Sequence, residues 1–396
     1  MSKLIPTAKS SIEATPTLPP LALYIHIPWC VKKCPYCDFN SHAVRGEIPE
    51  AAYVKALLAD LTAEKNAAQN RPISSIFIGG GTPSLFSAAA IGEILHEAEK
   101  IVPFATDIEI TMEANPGTFE RKRFAGFKAA GVNRLSVGVQ SFNDEHLAQL
   151  GRIHSADEAI KAIKAASQLG FEHINIDLMH GLAKQSPQQA LQDLDTAIAL
   201  GSDHLSWYQL TIEPNTEFHA RPPILPDIDT LWDIQQAGQA LIATAGFEQY
   251  EISAYAKPNC QAQHNINYWQ FGDYFGIGAG AHGKLSFYDA QSQSLEIIRR
   301  WKKRSPKSYL SHVNPLGGEN TLSAQELPFE FMMNALRLKT GVPTEYYQQR
   351  TGQSLASMQN ALNDAQVRGL LQVDQNIAPT AQGSLFLNDL LEYFID

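Results

Sequence analysis

The sequence predicts an α/β fold: an open, partial (β/α)6 barrel followed by a smaller, mostly helical C-terminal domain. Three observations predict it. Strand-like and helix-like patterns alternate six times between residues 21 and 258, in units of roughly 30 residues. Polar residues and glycines fall at the carboxyl ends of consecutive strands, where parallel βα architectures bind their ligands. Beyond residue 258 the alternation fades into Gly- and aromatic-rich sequence and then further helices. Six units are too few for a closed eight-stranded barrel. A doubly wound sheet has the same periodicity and is the alternative.

The elements follow in order. "LALYIHI" (21–27) is rich in β-formers. Residues 49–69 have helical spacing, with Pro49 suited to a first turn. "SSIFIGGG" (74–81) is a strand stopped by glycines, and 87–101 is a helix. "DIEITMEANP" (107–116) is a strand ended by Pro116, and 119–131 is a helix closed by Gly131. "RLSVGVQS" (134–141) is a strand. The helix at 155–170 opens on the capping-box pattern Ser155-x-x-Glu158 and closes on Gly170. "HINIDLMHG" (173–181), a helix at 186–200, "DHLSWYQLTIEP" (203–214) and a helix at 227–245 complete the series. Further helices are expected at 294–301, 323–338, 343–351 and 354–368, then two short strands and a last helix resembling a winged-helix wing. The expected organisation is a disordered leader at 1–20, the barrel at 21–258, a connecting segment at 259–290 and the C-terminal domain at 291–396.

Bulk properties narrow the function classes. The chain has 31 Lys+Arg against 41 Asp+Glu, a formal net charge of −10. That balance speaks against a nucleic-acid partner bound through phosphate neutralisation. The basic run "RRWKKRSPK" (299–307) reads as a solvated helix end. Four cysteines in 396 residues are no disulfide scaffold and fit a reducing, cytoplasmic setting. No secretory signal or membrane-length apolar run is visible.

Three of those cysteines, Cys30, Cys34 and Cys37, stand within eight positions in "PWCVKKCPYC", just after the first strand. A structural zinc site wants four ligands, usually as two separated pairs. No second pair exists, so His26 or His42 would have to complete one. Three thiolates suit a [4Fe–4S] cluster and leave one iron without a protein ligand. C-x3-C-x2-C at the end of a first strand, with the aromatic Tyr36 inside it, resembles the radical S-adenosylmethionine (SAM) superfamily. The resemblance implies that the open iron binds the amino and carboxylate groups of SAM.

The other out-of-pattern residues suit the same ligand. Gly79, Gly80 and Gly81 allow close backbone approach, and their amides can donate to a carboxylate. Glu113 suits an ammonium, Arg152 a carboxylate, and Gln140 and Asp177 ribose hydroxyls. The stretches "LYIHIPWCVKKCPYCDF", "IGGGTPS", "EANPGT", "NRLSVGVQSF", "LGRIHS" and "NIDLMHGL" resemble the oxygen-independent coproporphyrinogen III oxidase family across about 21–290. That similarity implies a fold of the radical SAM type. It also implies cluster and SAM contacts at Tyr24, Cys30, Cys34, Tyr36, Cys37, Gly80, Gly81, Thr82, Glu113, Gln140, Arg152 and Asp177.

One departure selects the branch. The decarboxylases carry a fourth cysteine two positions after the third, where this chain has Phe39. Phe39 and the short leader are similar to the family's heme-chaperone branch. That branch has an H-N-x-x-Y-W motif implicated in heme binding, here His264, Asn265, Tyr268 and Trp269. The resemblance implies His264 as a heme ligand, with His282 in "GAGAHGK" a secondary choice. The cofactors expected are a [4Fe–4S] cluster, SAM and heme. The partners expected are heme, a heme-accepting protein and a second copy of the chain. The competing functions are coproporphyrinogen III decarboxylation, radical chemistry on tRNA or a cofactor, and a zinc-stapled protein without catalysis.

Overall fold

The structure is a computed structural model that describes residues 18–117, 120–289, 291, 294–311 and 314–395. The leader expected at 1–20 therefore lies almost wholly outside the described residues.

The first strand, β1 (Leu21–Ile27), runs into the cysteine loop, which is held by a short parallel pair, β2 (Trp29–Cys30) and β3 (His42–Ala43). The remaining strands of the series are β4 (Ile73–Gly80), β5 (Phe104–Ala114), β6 (Arg134–Gln140), β7 (His173–His180) and β8 (His204–Gln209). They pair in parallel in the order β1-β4-β5-β6-β7-β8. The helices between them are α1 (Glu50–Glu64), α2 (Ala88–Ile101), α3 (Glu120–Ala129), α4 (Asp144–Gln149), α5 (Ala156–Gln168) and α6 (Pro187–Ala199); α7 (Glu217–Ala220) and α8 (Ile228–Thr244) follow β8. Ser155 and Glu158 form the expected capping box on α5, and Ser186 with Gln189 forms another on α6. Each box satisfies amide donors that the first turn leaves free.

The strands alternate with period two. Ile110 and Met112, Leu135 and Val137, and Ile176 and Leu178 are buried in the main apolar core. Burying each contributes about 1.5–3 kcal/mol. The intervening residues of β5, β6, β7 and β8 are polar: Glu109, Thr111 and Glu113; Arg134, Ser136 and Gln140; Asn175 and Asp177; His204, Ser206 and Tyr208. All of these except Glu109 line one cavity. The sheet curls round that polar face, which becomes the lumen of a half-barrel.

The sheet extends beyond the expected boundary at 258. After β9 (Glu248–Gln249) and β10 (Ala254–Ala256), helix α9 (Gln263–Trp269) crosses to the other side, where β11 (Asp273–Ile277) pairs in parallel with β1. Three antiparallel strands follow: β12 (His282–Asp289), β13 (Ser294–Lys302) and β14 (Leu316–Thr321). The helix expected at 294–301 is therefore a strand. Its residues pair on both sides, Ile298 opposite Leu285 and Thr321, and Trp301 opposite His282 and Gly318. β-branched and aromatic side chains suit that double pairing. The basic run read as a solvated helix end spans the tail of this strand, a turn and the first residues of the helix Pro306–Ser311, and its Lys302 is buried.

The C-terminal helices α10 (Leu327–Ala335), α11 (Glu345–Thr351) and α12 (Gln359–Val367) share a second core with a three-stranded sheet. Phe331, Tyr347, Leu362 and Ile377 are fully buried there. The two strands of the expected wing are present at Leu371–Val373 and Asn376–Pro379.

Candidate functional site

The lumen holds a cavity of about 360 Å³. Cys30, Cys34 and Cys37 lie at its mouth, together with Tyr36, Gly80, Gly81, Thr82, Glu113, Gln140, Arg152 and Asp177. His264 lines the other end. Tyr24 and Gly79 are not among the lining residues. The Tyr24 hydroxyl is 2.7 Å from His26 Nδ1, and its ring stacks on Phe77.

The cysteine loop is fixed from several sides. Gly81 and Thr82 amides donate to the carbonyls of Ile27 and Trp29, and the Cys37 amide donates to Cys34 O. His26 Nε2 donates to Asn40 O at 2.9 Å while its Nδ1 faces Tyr24, so His26 has no nitrogen left to complete a zinc site. All three cysteines are free and half-buried. Burial pushes the Cys30 thiol up, opposed by hydrogen bonds from Thr82 and Ser41.

The glycines serve the protein before any ligand. Gly80 has φ +111°, and a Cβ there would stand 2.4 Å from the His26 ring. A Cβ on Gly81 would stand 2.5 Å from Trp29 O. Without side chains, this turn packs beneath the cysteine loop. The Gly80 amide donates to Glu113 Oε2 at 3.0 Å.

The polar residues form one network. Arg152 Nη2 donates to Asn115 Oδ1 at 2.7 Å and to Gly138 O. Its Nη1 is 3.7 Å from Cys34 Sγ, and its buried Nε has no partner. Asn115 Nδ2 donates to Thr82 Oγ1 at 2.9 Å. Gln140 has φ +72° at an irregularity in the β6–β7 pairing, and Tyr208 donates to its Oε1 at 2.8 Å. Ser136 and Asn175 donate to Asp177 at 3.0 and 2.7 Å.

Burial and the Asp177 charge push the Glu113 carboxyl up to about 8. Burial also raises Asp177, against hydrogen bonds from Ser136, Ser206 and Asn175. Two carboxyls in one pocket favour a cationic ligand that neutralises them. For the ligand-free chain the sign is definite. The unfolded carboxyl titrates near about 4.3, so between there and 8 the folded state holds a proton that the unfolded state has lost. Stability then falls as pH rises, by at most about 1.4 kcal/mol per unit from this group. Glu113→Gln should flatten that slope in urea titrations at pH 5, 6, 7 and 8. An unaltered slope would exclude Glu113 as its source.

Glu109 organises the deep end. His264 Nδ1 donates to Glu109 Oε1 at 2.9 Å, and the Gln263 and His264 amides, the first of α9, donate to the same carboxylate. Arg134 pairs with Glu109 at 3.3 Å. Burial alone would raise Glu109; the hydrogen bond from His264, with the Arg134 charge and the Gln263 amide, holds it down to about 2. The His264 ring stacks on Phe77 at 4.5 Å and is only 7% exposed. Its Nε2 makes no hydrogen bond among the described residues. An imidazole held through Nδ1–H with Nε2 free is the usual arrangement of a metal-binding histidine. His282 begins β12 against Trp301, away from the cavity.

Sequence reasoning missed Glu109, Thr111, Arg134, Asn115, Ser136, Asn175, His204 and Tyr208. The signal was present: four strands alternate polar and apolar residues, the polar set facing inward.

The chain matches the family model of the "Radical SAM superfamily" over residues 24–194 and that of the "HemN C-terminal domain" over 322–386. It is 52% identical to "Heme chaperone HemW" of Escherichia coli (strain K12) over 379 residues, covering 96% of this chain and 99% of that protein. It is 51% identical to "Heme chaperone HemW" of Haemophilus influenzae, with the same coverage. Mitochondrial "Radical S-adenosyl methionine domain-containing protein 1" of Bos taurus is 35% identical, covering 93% of this chain and 86% of that one. Among solved structures, coproporphyrinogen III oxidase (HemN) of Escherichia coli superposes with a TM-score of 0.79 at 24% identity, over 96% of this chain and 91% of that chain. The last likeness establishes the fold. Near full-length identity above one half establishes more: the chain belongs to the HemW family, within the radical SAM superfamily.

Proposed function

We propose that the chain is a heme chaperone that holds a [4Fe–4S] cluster and exchangeable SAM, binds heme and passes it to acceptor proteins. The observation that carries it is the 52% identity, along 99% of its length, to a protein named a heme chaperone.

The residues fit the cofactors. Cys30, Cys34 and Cys37 would hold three irons of the cluster. Arg152, with an unpartnered Nε, would meet the SAM carboxylate, and Glu113 its ammonium. Asp177 and Gln140, both oriented by neighbouring hydroxyls, would hold the ribose. Held by those three cysteines, a cluster would supply a low-potential electron to the sulfonium of bound SAM. The protein's part is to fix the ligand and to exclude water from the lumen.

His264 offers Nε2 to heme iron, its Nδ1 proton held by Glu109.

Titrating heme into cluster-loaded protein should shift the Soret band, and His264→Ala should abolish or weaken that shift. Coproporphyrinogen III with SAM and a low-potential reductant, without oxygen, should yield no protoporphyrinogen. Decarboxylated product at catalytic turnover would overturn the chaperone function, and an unchanged titration would remove His264 as the ligand.

A further inference from the structure

A second set of metal-type donors lies at the opposite end of the strands from the cysteine loop. His173 opens β7, Asp203 immediately precedes β8, and Cys260 stands between β10 and α9. A ring nitrogen of His173, a carboxylate oxygen of Asp203 and the Cys260 sulfur lie within 4.8 Å of one another. Around a tetrahedral zinc with bonds of about 2.0–2.3 Å, donors stand roughly 3.3–3.6 Å apart. The His173–Asp203 hydrogen bond, 2.5 Å long, must open and the wider donor pairs must close, each by about 1 Å, which side-chain rotations allow once zinc replaces the bridging ring proton.

We propose that His173, Asp203 and Cys260 form a zinc site, with a fourth position open to water. One imidazole, one carboxylate and one thiolate make a mixed N/O/S set, which suits borderline-soft zinc. Magnesium and calcium demand oxygen donors throughout. The carboxylate and thiolate bring two negative charges that a divalent ion neutralises.

The donors are already oriented. His173 Nδ1 is 2.5 Å from Asp203 Oδ2, and the Ile174 amide donates to Oδ1 at 3.1 Å. The Lys257 amide donates to the Asp203 carbonyl at 2.9 Å, which ties the Cys260 segment to β8. The Cys260 thiol makes a 3.5 Å contact to the Pro258 carbonyl and also hydrogen-bonds to Asp203, so zinc would take the place of the proton between sulfur and carboxylate. His173 and Asp203 side chains are 32% and 21% exposed, so an ion reaches them from solvent.

The position indicates what the ion would do. In parallel βα architectures the amino ends of the strands serve stability and the carboxyl ends chemistry. Zinc here would clamp β7, β8 and the segment entering α9 to one point. The Cys260 carbonyl accepts from Arg134 Nη2 at 2.9 Å, and Arg134 also pairs with Glu109, the partner of His264. Zinc occupancy would thus steady the floor on which α9 and His264 stand.

The test uses the full chain, cluster-loaded without oxygen and stripped of loosely held metal. Zinc chloride is titrated against a chromophoric chelator, zinc and iron are counted, and the zinc X-ray absorption edge is recorded. The expected result is one zinc per chain in addition to the cluster's iron. Its shell should hold one sulfur at about 2.3 Å and nitrogen or oxygen at about 2.0–2.1 Å. Cys260→Ala and His173→Gln should each weaken zinc at least about 100-fold, with iron content unchanged. Three outcomes overturn the site: unaltered zinc affinity in Cys260→Ala, a shell of three sulfurs, or no bound zinc at micromolar metal. Cys260 is half-buried in a connecting segment, so its alanine variant serves as the decisive one if His173→Gln fails to fold.

Discussion

Replacing Cys34 with serine will strip the protein of iron. Reconstituted wild-type chain should hold about four irons, as a cubane cluster requires. Cys34→Ser should hold fewer than about one, with the brown colour lost. The serine hydroxyl keeps its proton at neutral pH, so the loop retains two thiolates where three are needed. The loss should not come from unfolding. Cys34 is half-buried in a loop, and the loop is held by backbone bonds from Gly81, Thr82 and Cys37 rather than by the thiol. Stability in urea should therefore change by less than about 1 kcal/mol. Arg152, 3.7 Å from the sulfur, loses a partner in the variant, so SAM affinity should fall with the iron. Full iron content in Cys34→Ser would exclude Cys34 as a ligand.

The second large effect is on stability. Glu109→Ala should cost about 3–5 kcal/mol, because it leaves Arg134 charged, buried and unpaired. Arg134 is only 1% exposed, and its remaining bond is to the Cys260 carbonyl. The same substitution removes the acceptor for two α9 amides and for His264 Nδ1. Helix α9 has seven residues and little stability of its own, so its amides should exchange far faster. Glu109→Gln should be milder, since it keeps an acceptor. The pH dependence has a fixed sign. The folded carboxyl is held at about 2, below its unfolded value near 4.3. Its contribution is present above 4.3 and disappears as pH falls through about 2. A urea midpoint within error of wild type for Glu109→Ala would contradict the pairing.

Much of this architecture was legible in the sequence, for definite reasons. The six βα units declare themselves because strand, turn and helix signals are local. Ser155 and Glu158 mark a helix start within four residues. The residues at the cavity mouth were found by looking where strands end. The deep end was missed by the same habit. Arg134 opens β6 and Glu109 stands midway along β5, and only the alternation of whole strands places them on the polar face with Glu113 and Gln140. Strand β13 was misread because its identity depends on partners elsewhere. "LEIIRRW" is amphipathic in either geometry; pairing with β12 and β14 decides it. Tyr24, which family resemblance implied, stands on β1 with its hydroxyl facing His26.

One feature of the topology bears on biogenesis. Strand β1, which delivers the cysteine loop, is flanked by β4 on one side and β11 on the other. Residues 273–277 thus complete the seat of residues 21–27. A nascent polypeptide that has emerged only through β10 would still present a bare strand edge beside its thiols, a template for mispairing. Such long-range closure is slow. Iron and sulfide delivery should accordingly follow release from the ribosome, and truncation ahead of residue 273 should give insoluble, colourless product.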